Sequence, residues 1–253
     1  MSQSIWTQCA GSSRIKPLQL DAWRVVESQF ITSTRKLVDS AEEQELLEQL
    51  LEQVKPPLPP EKTFARLHFL LYTPFRHPPL PYGSRFGTRS ERGIWYGSNE
   101  LDTVFAEVAY YRFVFLAGTA AELGTVTVEL SAFKAAIRTR RGVDLTMLPF
   151  AEHERRISSK TSYAASQLLG REMREDGVEA FTYVSARARE SATNVGLFSP
   201  AFARAQPTGL SSWACTATRE RVELFKKDVF RKQRHVFERA QFEVGGQLPA
   251  PAL

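Results

Sequence analysis

The sequence predicts an α+β domain with several short strands and a few helices. Short apolar or aromatic runs bounded by glycine or proline recur along the chain, which is the pattern of strands. Fewer segments show the apolar spacing of an amphipathic helix. Because these helices do not alternate regularly with the strands, the pattern disfavours a doubly wound parallel sheet.

Residues 1–60 are predicted to form a helical N-terminal extension, with 21–54 helical. Ser40 and Glu43 have the S-x-x-E spacing of a capping box. Apolar side chains then recur at helical spacing, at Leu46, Leu47, Leu50, Leu51 and Val54. The proline-rich run 55–60 ends this helix, because proline has no backbone N–H to donate. The apolar stripe needs a partner surface, so we expect it to pack on the main body or against a second copy.

The main domain is predicted to cover residues 61–244, followed by a flexible tail at 245–253. Strands are predicted at residues 67–72, 93–98, 124–130, 180–185, 194–199, 213–218 and 221–225, with one more within 235–244. Helices are predicted at 101–116 and 163–176. Ser98 or Asn99 is expected to cap the first helix, and Gly177 to end the second.

The composition is that of a globular cytoplasmic protein with one large domain or two small ones. Hydrophobic residues make up 43% of the 253 residues, enough for a substantial core. No apolar stretch is long enough to span a membrane, and no signal peptide is apparent. Two cysteines are too few for a disulfide framework, so we expect a reducing compartment.

The net charge of +5 raises the question of nucleic-acid binding. The densest basic runs are 138–141 and 226–234, but no groove-reading motif accompanies them. Such runs are usually solvated surfaces, so no direct nucleic-acid partner is expected. A modest positive field also suits an anionic small substrate, because it raises the local concentration of that ligand.

The sequence lacks the familiar motifs of metal, nucleotide and hydrolase sites. Its four histidines are scattered, and no zinc-type spacing occurs. G-x-G-x-x-G after a strand, a Walker loop and G-x-S-x-G are missing as well. We therefore expect no metal site.

One segment combines residue types that often act in active sites. Arg85, Tyr96 and Glu107 follow one another at intervals of eleven residues, and their predicted elements could converge on one cleft. Glu107 lies in an otherwise apolar stretch, where a carboxylate is either a surface residue or a deliberately placed charge. The spacing alone leaves both interpretations open.

Four short motifs in this region resemble the RES domain family, which is named for its arginine, glutamate and serine. They are YTPFR at 72–76, SRFG at 84–87, GIWY at 93–96 and EVAYYR at 107–112. The family's serine would be Ser185, within 183–187. Residues 22–26 and 33–40 resemble the N-terminal extension of longer members, so the resemblance covers nearly the whole chain.

The resemblance implies an ADP-ribosyltransferase-like fold, with a mixed or split β-sheet core, that takes NAD+ as a substrate. Family members degrade NAD+ by hydrolysis or phosphorolysis, and some transfer ADP-ribose to a protein. The best-known members are bacterial toxins, commonly accompanied by a helix-turn-helix antitoxin. We therefore expect NAD+ glycohydrolase or phosphorylase activity, and such an antitoxin as partner.

By analogy with the family, Arg85 would hold the phosphates of NAD+ and Tyr96 would pack against the nicotinamide or its ribose. Glu107 would accept a hydrogen bond from a ribose hydroxyl and stabilise the positive charge that develops at C1′. Ser185 would position the substrate. Arg76 is a further candidate for a phosphate contact, and Asn194 for binding NAD+.

Two alternative functions stay open at this point. The first is transfer of ADP-ribose to a protein acceptor, which uses the same chemistry. The second, from a different class, is a non-catalytic protein whose basic surface binds acidic partners. The sequence leaves the ribosyl acceptor, the identity of the antitoxin and the oligomeric state undetermined.

Overall fold

The computed structural model describes residues 3–28, 37–79, 81–188 and 192–251. Within these ranges the chain forms one sheet of eight strands and six α-helices. The strands are β1 (Lys16–Glu27), β2 (Trp95–Ser98), β3 (Val126–Asp144), β4 (Ala180–Val184), β5 (Thr193–Leu197), β6 (Thr208–Ala217), β7 (Arg221–Lys226) and β8 (Arg234–Glu238). The helices are α1 (Ile5–Gln8), α2 (Ala41–Val54), α3 (Phe69–Arg76), α4 (Leu101–Gly118), α5 (Glu154–Ile157) and α6 (Ala164–Glu175).

Strand β3 is the centre of the sheet topology. Its 19 residues pair antiparallel with β1 and β6 and parallel with β4. The strand order is β1-β2-β5-β4-β3-β6-β7-β8, and β1 also pairs with β3. Strands β1, β2, β5, β4 and β3 therefore form a closed ring of hydrogen-bonded neighbours, extended on one side by β6 to β8. The parallel β3–β4 pair in an otherwise antiparallel sheet confirms the predicted α+β class with a mixed sheet.

Helix α4 is largely buried against the β6–β8 side of the sheet. Phe105 is fully buried and packs edge-on against Trp213 of β6, with 4.6 Å between the ring centroids. Tyr110 and Phe113 extend the same core cluster along the helix. A helix that is apolar nearly all round has to be buried. Glu107, on the same helix, is half-buried.

Several predicted elements are confirmed by the structure. Helix α4 matches the prediction at its start and runs two residues further, and α6 lies within the predicted 163–176. Gly177 ends α6 with φ +70°, a left-handed conformation that favours glycine. Ser40 Oγ accepts from the Glu43 N–H at 3.1 Å, completing the capping box of α2. The strands predicted around β2, β4, β5, β6 and β7 are also present, and β3 continues well beyond the predicted 124–130.

The helix predicted to begin at residue 21 is wrong in its first part, because Lys16–Glu27 forms β1. This strand pairs with β3 along its length, from Leu18 opposite Thr139 to Glu27 opposite Leu130. Its aromatic and β-branched residues suit a strand, and pairing with β3 decides the conformation. Residues 1–60 are thus not simply a helical extension, since they supply a strand to the ring. Positions 29–36, which belong to the predicted helix and to the 33–40 motif, lie outside the described residues.

The predicted strand at 67–72 is also wrong, because Phe69–Arg76 forms α3. A short apolar run fits a buried strand and a buried helix equally well. His68 decides between them locally, because its Nδ1 accepts from the Leu70 N–H at 3.3 Å and caps the helix. Leu71 and Phe75, four residues apart on one helix face, are both buried.

The prediction that Ser98 or Asn99 caps α4 is also wrong, because the N-cap position is Glu100 and no side chain caps the helix there. Ser98 instead donates to Asn194 across β2 and β5. At the other end of the chain, the predicted strand within 235–244 stops at Glu238. The segment expected to be a flexible tail is anchored in its described part, because Tyr110 Oη donates to the Pro249 carbonyl at 2.6 Å.

Helix α2 forms as predicted, but its apolar stripe does not pack on the main body. No residue of α2 is buried, and Leu46, Leu50 and Val54 are 57%, 50% and 78% exposed. A salt bridge of 2.8 Å between Glu52 and Arg76 joins α2 to α3. The stripe is therefore open to solvent in this chain. None of the helices in the described ranges is long and apolar enough to cross a membrane.

Candidate active site

Four of the predicted site residues line one cavity of about 450 Å³: Arg85, Tyr96, Glu107 and Asn194. The cavity lies where β1, β2, β5 and α4 meet. Ser185, which directly follows β4, reaches the same place through a hydrogen bond to Glu107. The structure thus brings together five of the six residues that the sequence singled out.

Glu107 is held by two neutral donors from the sheet. Ser185 Oγ and Asn194 Nδ2 each donate to its Oε1 at 2.8 Å. Among the residues that the structure describes, none hydrogen-bonds to Oε2. One carboxylate oxygen is therefore fixed to the protein, and the other remains available to a ligand in the cavity.

The two donors are themselves oriented by further hydrogen bonds. Ser98 Oγ donates to Asn194 Oδ1 at 2.5 Å, which turns the amide NH₂ toward Glu107. The β2–β5 register puts Ser98 directly opposite Asn194, so the strand pairing itself sets this contact. Ser185 Oγ accepts from the backbone N–H groups of Arg187 and Ala188 at 3.2 and 3.3 Å. Its own proton is then directed at Glu107, which suits a positioning role.

Tyr96 is tied through its hydroxyl to the loop that carries Arg85. Its Oη lies 2.9 Å from Ser84 Oγ and accepts from the Phe86 N–H at 3.2 Å. Burial raises the pKa of Tyr96 to about 12, although the hydrogen bonds from Ser84 and Phe86 oppose the shift. Tyr96 is therefore neutral at physiological pH and presents its ring, rather than a charge, to the cavity.

The Arg85 guanidinium is fixed at the cavity wall and is only 8% exposed. Its Nη1 donates to the Ser159 carbonyl at 2.7 Å. The guanidinium carbon lies 4.7 Å from the ring centroid of Tyr163, a cation–π distance. Arg85 therefore contributes a positive charge to the site and also holds the segment that leads into α6.

Arg76 is not brought to this site. It is not among the cavity-lining residues, and its guanidinium pairs with Glu52 of α2 at 2.8 Å. Arg76 is the last residue of α3, the helix that forms where the sequence predicted a strand at 67–72. The structure therefore lends no support to Arg76 as a phosphate contact.

The cavity is also lined by residues that sequence reasoning did not single out, among them Arg24, Tyr111, Tyr163 and Tyr183. Tyr111 follows Glu107 by four residues, a spacing that puts both on one face of α4 and was available in the sequence. Arg24 was hidden because its segment was predicted to be helical. Burial, with Glu107 nearby, holds the pKa of Tyr183 well above the usual range.

The arrangement is chemically suited to a ligand that bears both signs of charge. Tyrosine rings line the walls, a carboxylate stands on one side, and arginines stand nearby. A fixed anion in a cavity stabilises a positive charge that develops on a bound molecule. Within the described ranges, no group of three or more potential metal-binding side chains occurs.

A family model described as the RES domain matches residues 62–218. No curated protein matches the sequence. Among solved structures, the chain is similar to one in the crystal structure of the M. tuberculosis MbcT-MbcA toxin-antitoxin complex. That similarity has a TM-score of 0.48 at 10% identity and covers 86% of this chain and 94% of the other.

Proposed function

The chain belongs to the RES domain family, and from that premise we propose that it consumes NAD+ by breaking the bond between nicotinamide and ribose. The observation that carries the proposal is the Glu107 carboxylate, held through Oε1 by Ser185 and Asn194 inside a tyrosine-lined cavity. The three residue types of the family name, at Arg85, Glu107 and Ser185, meet at this one place.

In the proposed reaction the electron pair of the bond between C1′ and the pyridinium nitrogen moves to nicotinamide, which leaves as a neutral molecule. The positive charge passes to C1′ and the ring oxygen of the ribose. Glu107 stabilises this oxocarbenium-like state, and its Oε2 is placed to accept from a ribose hydroxyl. Water or phosphate then adds to C1′ through an oxygen lone pair, and an attacking water loses one proton to solvent.

The test is nicotinamide release from NAD+ by purified protein, with and without inorganic phosphate. We expect the wild type to release nicotinamide and Glu107→Gln to do so about 10²–10³-fold more slowly, because the amide cannot supply the anion. Glu100→Gln is a matched control, since Glu100 is an exposed residue at the start of the same helix. Free ADP-ribose would indicate hydrolysis, and its 1″-phosphate would indicate phosphorolysis. No release by folded wild-type protein under either condition would contradict the proposal.

Transfer of ADP-ribose to a protein is an alternative outcome of the same experiment. Intact-mass analysis of the enzyme and of added proteins would show the adduct. Stoichiometric adduct formation with little free ADP-ribose would replace the hydrolase or phosphorylase proposal by a transferase. The Glu107 chemistry would be retained in either case.

We further propose that NAD+ consumption makes the protein a cytoplasmic toxin, neutralised by a partner antitoxin of the helix-turn-helix type. The support is the family resemblance and the predicted consequence of losing cellular NAD+. Expression of the wild type is expected to arrest growth and to lower NAD+, and expression of Glu107→Gln is expected to do neither. Normal growth with an undiminished NAD+ pool at high wild-type expression would refute it.

A further inference from the structure

Strand β1 lies outside the residues that the RES family model matches, yet it forms a wall of the candidate active site. It is held on one side by β3 and on the other by β2, through the pairing of Trp23 with Ser98. Arg24 lines the cavity, whereas Trp23 carries Lys134 of β3 over its ring, with Nζ 4.8 Å from the centroid. The position of β1 therefore introduces an arginine into the site from a part of the chain that the family model does not match.

The Arg24 side chain is partly buried, and its guanidinium is incompletely paired. Its Nη1 donates to the Tyr96 carbonyl at 2.6 Å, and its carbon lies 5.4 Å from the centroid of Trp95. Its Nε is buried without a hydrogen-bond partner in the described part of the chain. Burial lowers the pKa of Arg24 to about 10, which leaves it charged at neutral pH. Partial burial of a cation without a carboxylate partner is costly, and binding of an anion would offset that cost.

The other two cavity arginines are more fully engaged by the protein. Arg112 forms an ion pair of 2.5 Å with Glu27. Arg85 donates to the Ser159 carbonyl and lies against Tyr163. Arg24 has no carboxylate within salt-bridge distance among the described residues. Arg85 has no such carboxylate either, but of the three arginines only Arg24 keeps a buried guanidinium nitrogen without a hydrogen-bond partner among the described residues.

We propose that Arg24 is the residue that recognises the phosphate-bearing half of the substrate. This inference rests on the proposed function and deepens it, because a dinucleotide substrate carries a diphosphate next to the ribose that reacts. A guanidinium presents a planar set of N–H donors that matches phosphate oxygens. Arg24 also donates a hydrogen bond to the backbone carbonyl of Tyr96, so the guanidinium has a fixed position relative to the Tyr96 ring.

The kinetic test uses three substrates with the same scissile bond and decreasing phosphate content: NAD+, nicotinamide mononucleotide and nicotinamide riboside. For Arg24→Gln we expect an increase of about ten- to a hundredfold in KM for NAD+ with a smaller change in kcat, because a charged hydrogen bond made in the ground state is lost. The increase should shrink for the mononucleotide and vanish for the riboside. An equal increase in KM for all three substrates would show that Arg24 merely supports the structure, and would overturn the proposal.

A binding experiment separates this inference from the proposed reaction. ADP carries the diphosphate and no scissile nicotinamide bond, so its affinity, measured by calorimetry against AMP and adenosine, does not depend on turnover. We expect the wild type to prefer ADP and Arg24→Gln to lose that preference. If ADP binds through Arg24 but nicotinamide is not released, the proposed function fails and the inference survives. If Arg24→Gln binds ADP as tightly as the wild type, the inference fails whatever the enzyme does.

Two further variants guard against misfolding and general charge effects. Arg24→Lys keeps the charge but not the planar fork, so it should retain part of the ADP affinity. Lys134→Gln removes one positive charge from the strand next to β1 at a residue that does not line the cavity. It should leave ADP binding unchanged. An equal loss of affinity in Lys134→Gln and Arg24→Gln would reduce the effect to net charge and contradict the proposal.

Discussion

Helices α2 and α4 make an instructive pair, because both carry glutamates and both were predicted correctly as helices. Helix α4 lies against the sheet with Phe105 fully buried, whereas α2 has no buried residue. Glu107 of α4 is held by two neutral side chains, Asn194 of β5 and Ser185 just after β4. Glu52 of α2 pairs instead with Arg76 and Lys55 at the surface.

The difference shows that the surroundings decide what a glutamate can do. At the surface, cations lower the pKa of Glu52 and also occupy its oxygens, and such pairs contribute little to stability. Inside, Ser185 and Asn194 fix the Glu107 carboxylate without neutralising it. A fixed and uncompensated anion is what a developing positive charge requires. The same kinds of substitution should therefore have large effects in α4 and small effects in α2.

The largest expected effect is on stability, at the interface between α4 and the sheet. Phe105→Ala should lower the free energy of unfolding by about 3–5 kcal/mol, because it leaves a cavity against Trp213. Urea denaturation followed by tryptophan fluorescence measures the change. A loss below about 1 kcal/mol would mean that α4 is not anchored by this contact.

Substituting the glutamates tests the comparison at the level of activity. Glu107→Gln should reduce kcat/KM for NAD+ by about 10²–10³-fold, or about 3–4 kcal/mol, while leaving stability nearly unchanged. Glu45→Gln makes the same change on exposed α2 and should leave the rate unaltered. Comparable losses in both variants would erase the distinction between the two helices.

A smaller effect is expected from the hydrogen bonds that hold Glu107. Ser185→Ala removes one of the two donors to Oε1, which should lower kcat about ten- to a hundredfold with little change in KM. Measuring the rate of nicotinamide release at saturating NAD+ isolates kcat. A complete loss of activity would instead argue that Ser185 takes part in the bond-breaking step.

The smallest effect is expected on α2. Leu50→Ala should change the free energy of unfolding by no more than about 0.5 kcal/mol, because Leu50 is 50% exposed and has little packing to lose. The same urea titration used for Phe105→Ala provides the comparison. A destabilisation of 2 kcal/mol or more, the range of about 2–5 kcal/mol typical of buried leucines, would place the α2 stripe against another surface.

The sequence was informative where local rules act alone. The Ser40 capping box, the glycine after α6 and the apolar length of α4 each depend on neighbouring residues, and each prediction is confirmed. Packing of α2 was not predictable, because a stripe such as Leu46 to Val54 predicts a helix and says nothing of what covers it. The conformation of β1 depends on its pairing with β3, more than a hundred residues later in the chain.

In the candidate site, too, the features set by local sequence were predicted and those set by strand pairing were not. The even spacing of Arg85, Tyr96 and Glu107 suggested one cleft, and the structure places all three around one cavity. The Ser98–Asn194 contact needs the register of β2 and β5, which no local pattern contains. Arg24 lies within the 22–26 motif, but its place in the cavity was not predicted, because that place depends on the pairing of β1 with β2 and β3. Arg76 was singled out from a motif whose helix turns it toward α2.

The ring formed by β1, β2, β5, β4 and β3 also limits how far the chain can be truncated at its N-terminus without aggregating. A chain that began at residue 62, where the family match starts, would lack β1 and leave the facing edges of β2 and β3 without partners. Unpaired strand edges are templates for association with other chains. Such a fragment should self-associate and aggregate. A peptide with the sequence of β1, added in trans, should restore the monomer by binding between β2 and β3 in place of β1.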